Sequence, residues 1–157
     1  MAVQDEFQVV TFALAAENYG VDIGSVQEII PLLPVIRVPE APRWIDGLID
    51  LRGTILPVLD LRTRFGLERL ASGEGHPCII ISNLSGQQVG LVADSVRDVV
   101  RVHAANMAPV PPAAGARAPF LSGILRIPEG QGHRILFLLA LDRLLSQEEV
   151  EVLAGMA

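Results

Sequence analysis

Lysine does not occur in this 157-residue chain, and all twelve basic residues are arginine. Mechanisms that need a lysine are therefore excluded, including Schiff-base chemistry and phosphate binding by a phosphate-loop lysine. The formal net charge of −6 also opposes nucleic-acid binding, because phosphate contacts require a concentrated positive surface. We therefore expect no nucleic acid among the partners of this protein.

Cysteine is nearly absent as well, since Cys78 is the single example and cannot form an intrachain disulfide. Its position before Ile79–Ile81 indicates a buried thiol in a strand. No segment approaches the ~20 consecutive apolar residues of a membrane span. The first residues, MAVQDEF, lack the basic and hydrophobic regions of a signal peptide. These absences predict a cytoplasmic protein that does not insert into a membrane.

Patterns typical of a catalytic or metal-binding site are also missing. His76, His103 and His133 are far apart, and none has a ligand-type residue three or four positions later. No serine stands in a G-x-S-x-G motif. Asp46 and Asp50 could imitate a carboxylate pair, although polar residues at strand ends are the simpler interpretation. We expect no enzyme, no cofactor and no metal; a small-ligand-binding or enzymatic β-barrel is the alternative from another class.

What the chain does contain is two short apolar runs, Trp44–Leu51 and Thr54–Leu61, on either side of Arg52-Gly53. Runs of this length around a glycine-bearing dipeptide predict a tight β-hairpin with Arg52 at its tip. Gly53 is expected to supply the positive φ of the turn. Pro57 has no amide hydrogen, so the second strand is expected at a sheet edge or at a bulge.

Three parts of the chain recur later in the same order. The matched segments are Tyr19–Ile30 with Val89–Val100 (offset 70), Trp44–Ile49 with Phe120–Leu125 (offset 76) and Ile55–Leu61 with Ile135–Leu141 (offset 80). Three ordered matches predict an internal duplication, and a generic likeness of apolar strands is the alternative.

Short apolar segments at close spacing, separated by Pro and Gly, predict an all-β protein built from small closed barrels. Candidate strands in the first copy are 18–23, 34–38, 45–51, 54–60 and one strand borrowed from elsewhere in the chain. Those in the second copy are 77–83, 87–93, 97–102, 120–127 and 133–140, and 7–14 is available to either.

Helical structure is expected to be short. Turns are predicted near Ser25–Ile30 and Leu61–Phe65, and the proline-rich segment Ala108–Pro119 is predicted to be a connector. A C-terminal helix is predicted around Ser146–Ala154, because Ser146 and Glu149 have the spacing of a capping box.

The pattern GLIDLRGTILPVLDLR, at 47–62, closely resembles the signature of the CheW family, the adaptor proteins of bacterial chemotaxis. Further blocks that resemble this family follow its order along the chain: FQVVTFALAAENYGVDIGSVQEII, VGLVADSVRDVV, FLSGIL and RILFLLALDRLL. The resemblance implies one domain over 1–157 with two SH3-like five-stranded barrels, approximately 15–75 and 76–145, followed by a helix and tail at 146–157. The N-terminal strand at 7–14 belongs to either barrel.

The same resemblance implies a non-catalytic adaptor that couples chemoreceptors to a CheA-type histidine kinase. Its expected partners are the kinase regulatory domain and the cytoplasmic tip of a chemoreceptor, and its expected location is the cytoplasm, at membrane-associated receptor arrays. Asp50 replaces the usual family Asn, and Ala140 stands where a polar residue is common. The pathway therefore stays open between flagellar chemotaxis, twitching motility and biofilm signalling.

Three sets of candidate site residues follow from this resemblance. The candidate receptor-binding residues are Val26, Ile30, Leu91, Val96 and Val99. The candidate kinase-binding residues are Arg52, Leu61 and Arg62. Glu28 and Arg52 are expected to form an ion pair, because both match well-kept family positions and a carboxylate can accept two hydrogen bonds from a guanidinium.

Overall fold

The computed structural model describes residues 6–67 and 76–156, which contain eleven β-strands and two α-helices. The elements are β1 Glu6–Leu14, β2 Glu17–Asp22, β3 Val26–Pro31, β4 Ile45–Leu51, β5 Thr54–Leu59, α1 Leu61–Arg64, β6 Cys78–Leu84, β7 Gln87–Ala93, β8 Ser95–His103, β9 Met107–Ala108, β10 Leu121–Glu129, β11 Gly132–Leu139 and α2 Gln147–Ala154. Short 3-10 segments lie at Ile23–Ser25, Ala104–Asn106, Pro112–Phe120 and Leu141–Arg143.

The strands form two sheets, each curled around its own apolar cluster. The first barrel has the strand order β3-β6-β7-β5-β4, and the second has β8-β1-β2-β11-β10-β9. Each sheet contains one parallel pairing, β5 with β7 in the first and β2 with β11 in the second. A third and larger cluster draws buried residues from both sheets and joins them. The prediction of an all-β fold with two small barrels is confirmed.

The barrels do not correspond to successive halves of the chain. Strands β6 and β7, at 78–93, belong to the first barrel, whereas β1 and β2, at 6–22, belong to the second. The predicted division into 15–75 and 76–145 is therefore wrong for these strands, and its residues 68–75 lie outside the described ranges. The first hairpin of each repeat therefore lies in the barrel that contains the last hairpin of the other repeat. Sequence similarity between the repeats cannot show which repeat a strand pairs with.

Backbone hydrogen bonds agree with the predicted internal duplication. In the first barrel, the Asp60 amide donates to the Trp44 carbonyl at 2.8 Å. In the second, the Ala140 amide donates to the Phe120 carbonyl at 2.8 Å, and the offsets of 80 and 76 relate these two pairs. Parallel pairing places Gly20 beside β11 and Gly90 beside β5 in the same manner.

The predicted hairpin around Arg52 forms, with β4 and β5 joined by two residues. Arg52 has φ 51° and Gly53 has φ 88°, so both central residues lie in the left-handed region that this type of turn requires. The Gly53 amide donates to Oδ1 of Asp50 at 2.8 Å, which gives Asp50 a role in the turn. Pro57 does not lie on an edge strand, but the pairing of β5 with β7 covers only Val58 and Leu59, beyond it.

The structure differs from two other local predictions, the strand at 34–38 and the turn at Ser25–Ile30. Segment 34–38 is no strand and makes only a single bridge, between Ile36 and Leu48. The turn expected at Ser25–Ile30 lies earlier, at Ile23–Ser25, because Asp22 accepts a hydrogen bond from the Gly24 amide and caps it.

The helical elements after β5 and β11 match the prediction more closely. Asp60 caps α1 by accepting from the amide of Thr63, and Ser146 caps α2 in a complete capping box with Glu149. Within Ala108–Pro119 the chain is mainly 3-10, as expected of a connector. Cys78 is half-buried at the start of β6 rather than fully buried.

Gly47 provides a test of the close packing between β4 and the segment before it. A Cβ atom at this position would stand 2.3 Å from the carbonyl oxygen of Ile36, so the backbone would have to move. We expect Gly47→Ala to lower the free energy of unfolding by about 1–3 kcal/mol, as overpacking does. Gly132→Ala is the control, since a Cβ at Gly132 meets nothing within 4 Å. Urea unfolding measures both, and equal stability of the two variants would contradict the prediction.

Candidate functional site

The predicted ion pair between Glu28 and Arg52 is present at one end of the first barrel. Nη1 of Arg52 donates to Oε2 of Glu28 at 3.0 Å, and Nη2 donates to Oε1 at 2.5 Å. Glu28 lies on β3 and Arg52 on the β4–β5 turn, so the pair joins the two ends of the sheet order. The Arg52 side chain remains 67% exposed, which leaves the guanidinium accessible to a partner.

Electrostatics hold this pair in its charged form. The hydrogen bond from Arg52 lowers the pKa of Glu28, and the carboxylate in turn raises the pKa of Arg52. Exposed ion pairs contribute little to stability, because water screens them and two long side chains must be ordered. The main effect of the bidentate contact is therefore to orient the Arg52 guanidinium at the hairpin tip.

A related carboxylate–arginine contact lies in the second barrel. Asp98 on β8 is the counterpart of Glu28 at the offset of 70, and it accepts from Nη2 of Arg134 at 3.3 Å. The hydroxyl of buried Thr11 donates to Oδ1 of Asp98, and the Asp98 amide donates back to that hydroxyl at 3.2 Å. The Thr11 hydrogen bond is the main cause that lowers the pKa of Asp98. Arg134 is buried, so Asp98 compensates a charge inside the barrel.

The five candidate receptor-binding residues do not form one accessible surface. Leu91 and Ile30 are buried, and each belongs to an apolar cluster of the core. Placing them at a docking surface was wrong, because their side chains point into the protein. Val26 and Val96 are half-buried against the central cluster, and Val99 is 49% exposed on β8.

Ile29 is an exposed residue that the prediction missed. It is 42% exposed on β3 and is the counterpart of Val99 at the offset of 70. Both strands are outer strands of their sheets. The repeat therefore contained the signal that could have selected Ile29 in place of Ile30.

The candidate kinase-binding residues also separate. Arg52 is exposed, but Leu61 is fully buried in the central cluster, where it cannot meet a partner. Arg62 is largely buried and pairs with Asp94 through two hydrogen bonds, one of them from Nε to Oδ1 at 2.9 Å. Oδ2 of Asp94 also accepts from the Ala15 amide at 2.8 Å. Arg62 therefore ties α1 to the β1–β2 and β7–β8 turns.

Two further arginines hold the region between the barrels, and sequence reasoning did not single them out. Arg64 donates to both carboxylate oxygens of Glu149 on α2, at 2.8 and 2.6 Å, and its guanidinium lies 4.9 Å from the centre of the Phe120 ring. Arg117 donates to Glu17 at 2.8 Å and lies 4.8 Å from the centre of the Phe137 ring. Such contacts combine charge pairing with cation–π attraction.

The described residues show no arrangement suited to catalysis. Asp50 accepts from a turn amide, Asp60 caps α1, and Asp46 lies beside a shallow groove with Arg37 and Arg43. No cluster of three potential metal ligands occurs within 6–67 and 76–156. In the same ranges, no helix has the length and apolar character needed to cross a membrane. The surface features that remain as candidates for binding a partner are outer strands and turns.

The Arg62–Asp94 pair yields a prediction on stability. We expect Arg62→Ala to lower the free energy of unfolding by about 3 kcal/mol, since it leaves a largely buried carboxylate without its cation. Arg52→Ala, which removes an exposed arginine, is the matched control and is expected to unfold at an unchanged denaturant concentration. Chemical denaturation of both variants provides the measurement. A stable Arg62→Ala protein would show that the pair is dispensable.

The Thr11–Asp98 contact yields a prediction on pH. Because the folded pKa of Asp98 is lowered, its contribution to stability is present above the unfolded pKa and is lost as the pH falls through the folded pKa. We expect Thr11→Val to raise the Asp98 pKa towards its ordinary value and to destabilise the protein near neutral pH. The stability difference from the unaltered protein should shrink in acid. Carboxyl-carbon NMR titration follows the pKa, and an unshifted Asp98 would refute the contact.

Comparison with known proteins agrees with this architecture. A family model described as "CheW-like domain" matches residues 8–149. "Chemotaxis protein CheW" of Treponema pallidum is 33% identical over 99% of this chain and 92% of that protein, and the Klebsiella aerogenes protein of the same name is 35% identical over 99% and 90%. The crystal structure of the scaffolding protein TtCheW from Thermoanaerobacter tengcongensis superposes with a TM-score of 0.79, at 33% identity, over 89% of this chain and 88% of that one. The chain therefore belongs to the CheW family and has the role of a non-catalytic chemotaxis adaptor.

Proposed function

We propose that this protein couples a chemoreceptor to a CheA-type histidine kinase by binding each at a different surface. The observation that carries this proposal is the repetition of exposed aliphatic residues at matched positions of the two repeats. Ile29 on β3 corresponds to Val99 on β8, and Ile55 on β5 corresponds to Ile135 on β11. Single exposed aliphatic residues are common. Their presence in both copies of a diverged repeat supports a role in binding.

The receptor-docking surface is defined here as Ile29 and Val99 together with the half-buried Val26 and Val96. It lies on β3 and β8, the outer strands of the two sheets. An amphipathic helix binds by placing apolar residues at i, i+3 and i+4 into such a surface. The helical cytoplasmic tip of a chemoreceptor is the partner of this kind that the family suggests.

The kinase-docking surface is defined here as Arg52, Ile36 and Ile55 on the first barrel. The two isoleucines are exposed beside the β4–β5 hairpin, and Glu28 orients the Arg52 guanidinium at its tip. Protein interfaces favour arginine with aliphatic neighbours, since a guanidinium is less strongly hydrated than an ammonium. We infer that the regulatory domain of the kinase binds here.

An adaptor with two such surfaces acts by holding receptor and kinase in a fixed position relative to each other. Receptor and kinase bound to one rigid body would influence each other through the free energy of coupled contacts, without a chemical step. The central cluster contains residues of both sheets, and Arg64 links α1 to Leu144 and to Glu149 on α2. A protein of this kind would be recruited from the cytoplasm to receptor arrays.

The proposal can be tested by co-sedimentation of the full chain with a receptor cytoplasmic fragment and, separately, with the kinase regulatory domain. We expect Val99→Asp to abolish receptor binding and preserve kinase binding, because a carboxylate would be desolvated in an apolar contact. Ile55→Asp should have the opposite pattern.

Val152→Asp is the matched control, since Val152 is 47% exposed on α2, outside both surfaces. It should bind both partners as the unaltered protein does. If a folded Val99→Asp protein binds the receptor fragment normally, the receptor-docking surface is misplaced. If Ile55→Asp binds the kinase domain normally, the same conclusion applies to the kinase-docking surface.

A further inference from the structure

A groove beside the β2–β3 junction is the unfilled counterpart of the site that Arg62 occupies. The groove has a volume of about 500 Å³ and is formed by the end of β2, the β6–β7 turn and the 3-10 segment after β11. Under the internal duplication these elements correspond to the end of β7, the β1–β2 turn and α1. The latter three are the elements that the Arg62–Asp94 contact joins.

The correspondence holds residue by residue. Position 62 maps onto Asp142 at the offset of 80, and position 94 maps onto Gly24 at the offset of 70. Ala15, whose amide also reaches Asp94, maps onto Ser85. Ala15 and Ser85 have φ 51° and 54°, so the two turns share their conformation.

The two sites differ in what fills them. In the first, the Arg62 side chain enters from α1 and is largely buried against Asp94. In the second, an acidic residue replaces the arginine and glycine replaces the aspartate, so the two matched positions cannot form the same contact. The space between the matched elements remains an open groove.

The groove has the chemistry of a guanidinium acceptor. Asp22 and Asp142 contribute carboxylates, and Ser25, Asn83 and Ser122 contribute neutral oxygen atoms. Oδ1 of Asp22 and Oδ1 of Asn83 each accept one backbone amide, which leaves each oxygen a second lone pair for an incoming donor. Arg143 is the cation of its lining and is exposed. A planar guanidinium with five N–H donors matches several oxygen acceptors better than an ammonium does.

We propose that this groove binds an arginine side chain presented by a partner protein. The incoming guanidinium would replace the internal arginine that the other repeat supplies. Because Ser25 lines the groove and precedes β3 directly, an arginine bound there would lie next to β3. The proposal rests on the comparison of the two repeats and is independent of the identity of the receptor or the kinase.

The first test rebuilds the filled site with Gly24→Asp and Asp142→Arg, singly and together, in the full chain. A Cβ at Gly24 would meet only Oδ1 of Asp22, at 3.2 Å, so an aspartate can be placed there with a small side-chain adjustment. We expect the double variant to unfold at a higher urea concentration than the sum of the two single shifts predicts. Asp142→Arg combined with Gly132→Asp is the control and should show no coupling.

The second test titrates the isotope-labelled full chain with N-acetylarginine amide and, as a control for charge, with N-acetyllysine amide. Saturable amide shifts confined to the groove are expected with the arginine compound. The affinity for the arginine compound should weaken roughly tenfold or more in Asp142→Asn, as expected for a lost charge-assisted hydrogen bond. The amide shifts should disappear in the Gly24→Asp/Asp142→Arg protein, whose own arginine fills the groove.

Two outcomes would overturn the proposal. Additive single effects in the folded double variant would show that the groove lacks the geometry of the Arg62 site. Equal shifts with the arginine and lysine compounds, or shifts outside the groove, would show that it does not recognise a guanidinium.

Discussion

The exchange of hairpins between the two barrels is the constraint on which the rest of the structure depends. β1 pairs with β2 of its own repeat and with β8 of the other, while β6 pairs with β7 of its own repeat and with β3 of the other. Neither barrel can close with strands from one repeat alone. The central cluster follows from this, because the crossing connections bring residues of both repeats between the barrels.

The two repeats contain related carboxylate–arginine contacts that differ in their exposure. Glu28 with Arg52 and Asp98 with Arg134 form the same kind of carboxylate–arginine contact, once in each repeat. The first version is exposed, so its arginine is available to a partner. In the second the arginine is buried and the carboxylate is half-exposed, so the contact compensates the charge of a guanidinium that belongs to the barrel itself. The same carboxylate position thus pairs with an exposed arginine in one copy and with a buried arginine in the other.

Sequence patterns were sufficient for the features that depend on neighbouring residues. The Arg52-Gly53 turn and the Ser146 capping box follow from local conformational preferences, and the Glu28–Arg52 contact followed from the family resemblance. The assignment of strands to barrels did not follow, because pairing partners are decided by the packing of the whole chain. Similarly, Ile29 and Ile30 are equally apolar in the sequence, and only the strand's orientation separates an exposed side chain from a buried one. The pairing of Arg62 with Asp94 could not be predicted, because the two residues lie 32 positions apart in the chain.

The order of the strands also limits how the chain can fold while it is being synthesised. β2 pairs with β11, so one edge of the β1–β2 hairpin stays unpaired until β11 has been synthesised. Contacts between such distant segments slow folding and leave strand edges exposed in the meantime. A truncation that removes β11 would therefore leave the N-terminal hairpin with an edge that no later segment can cover.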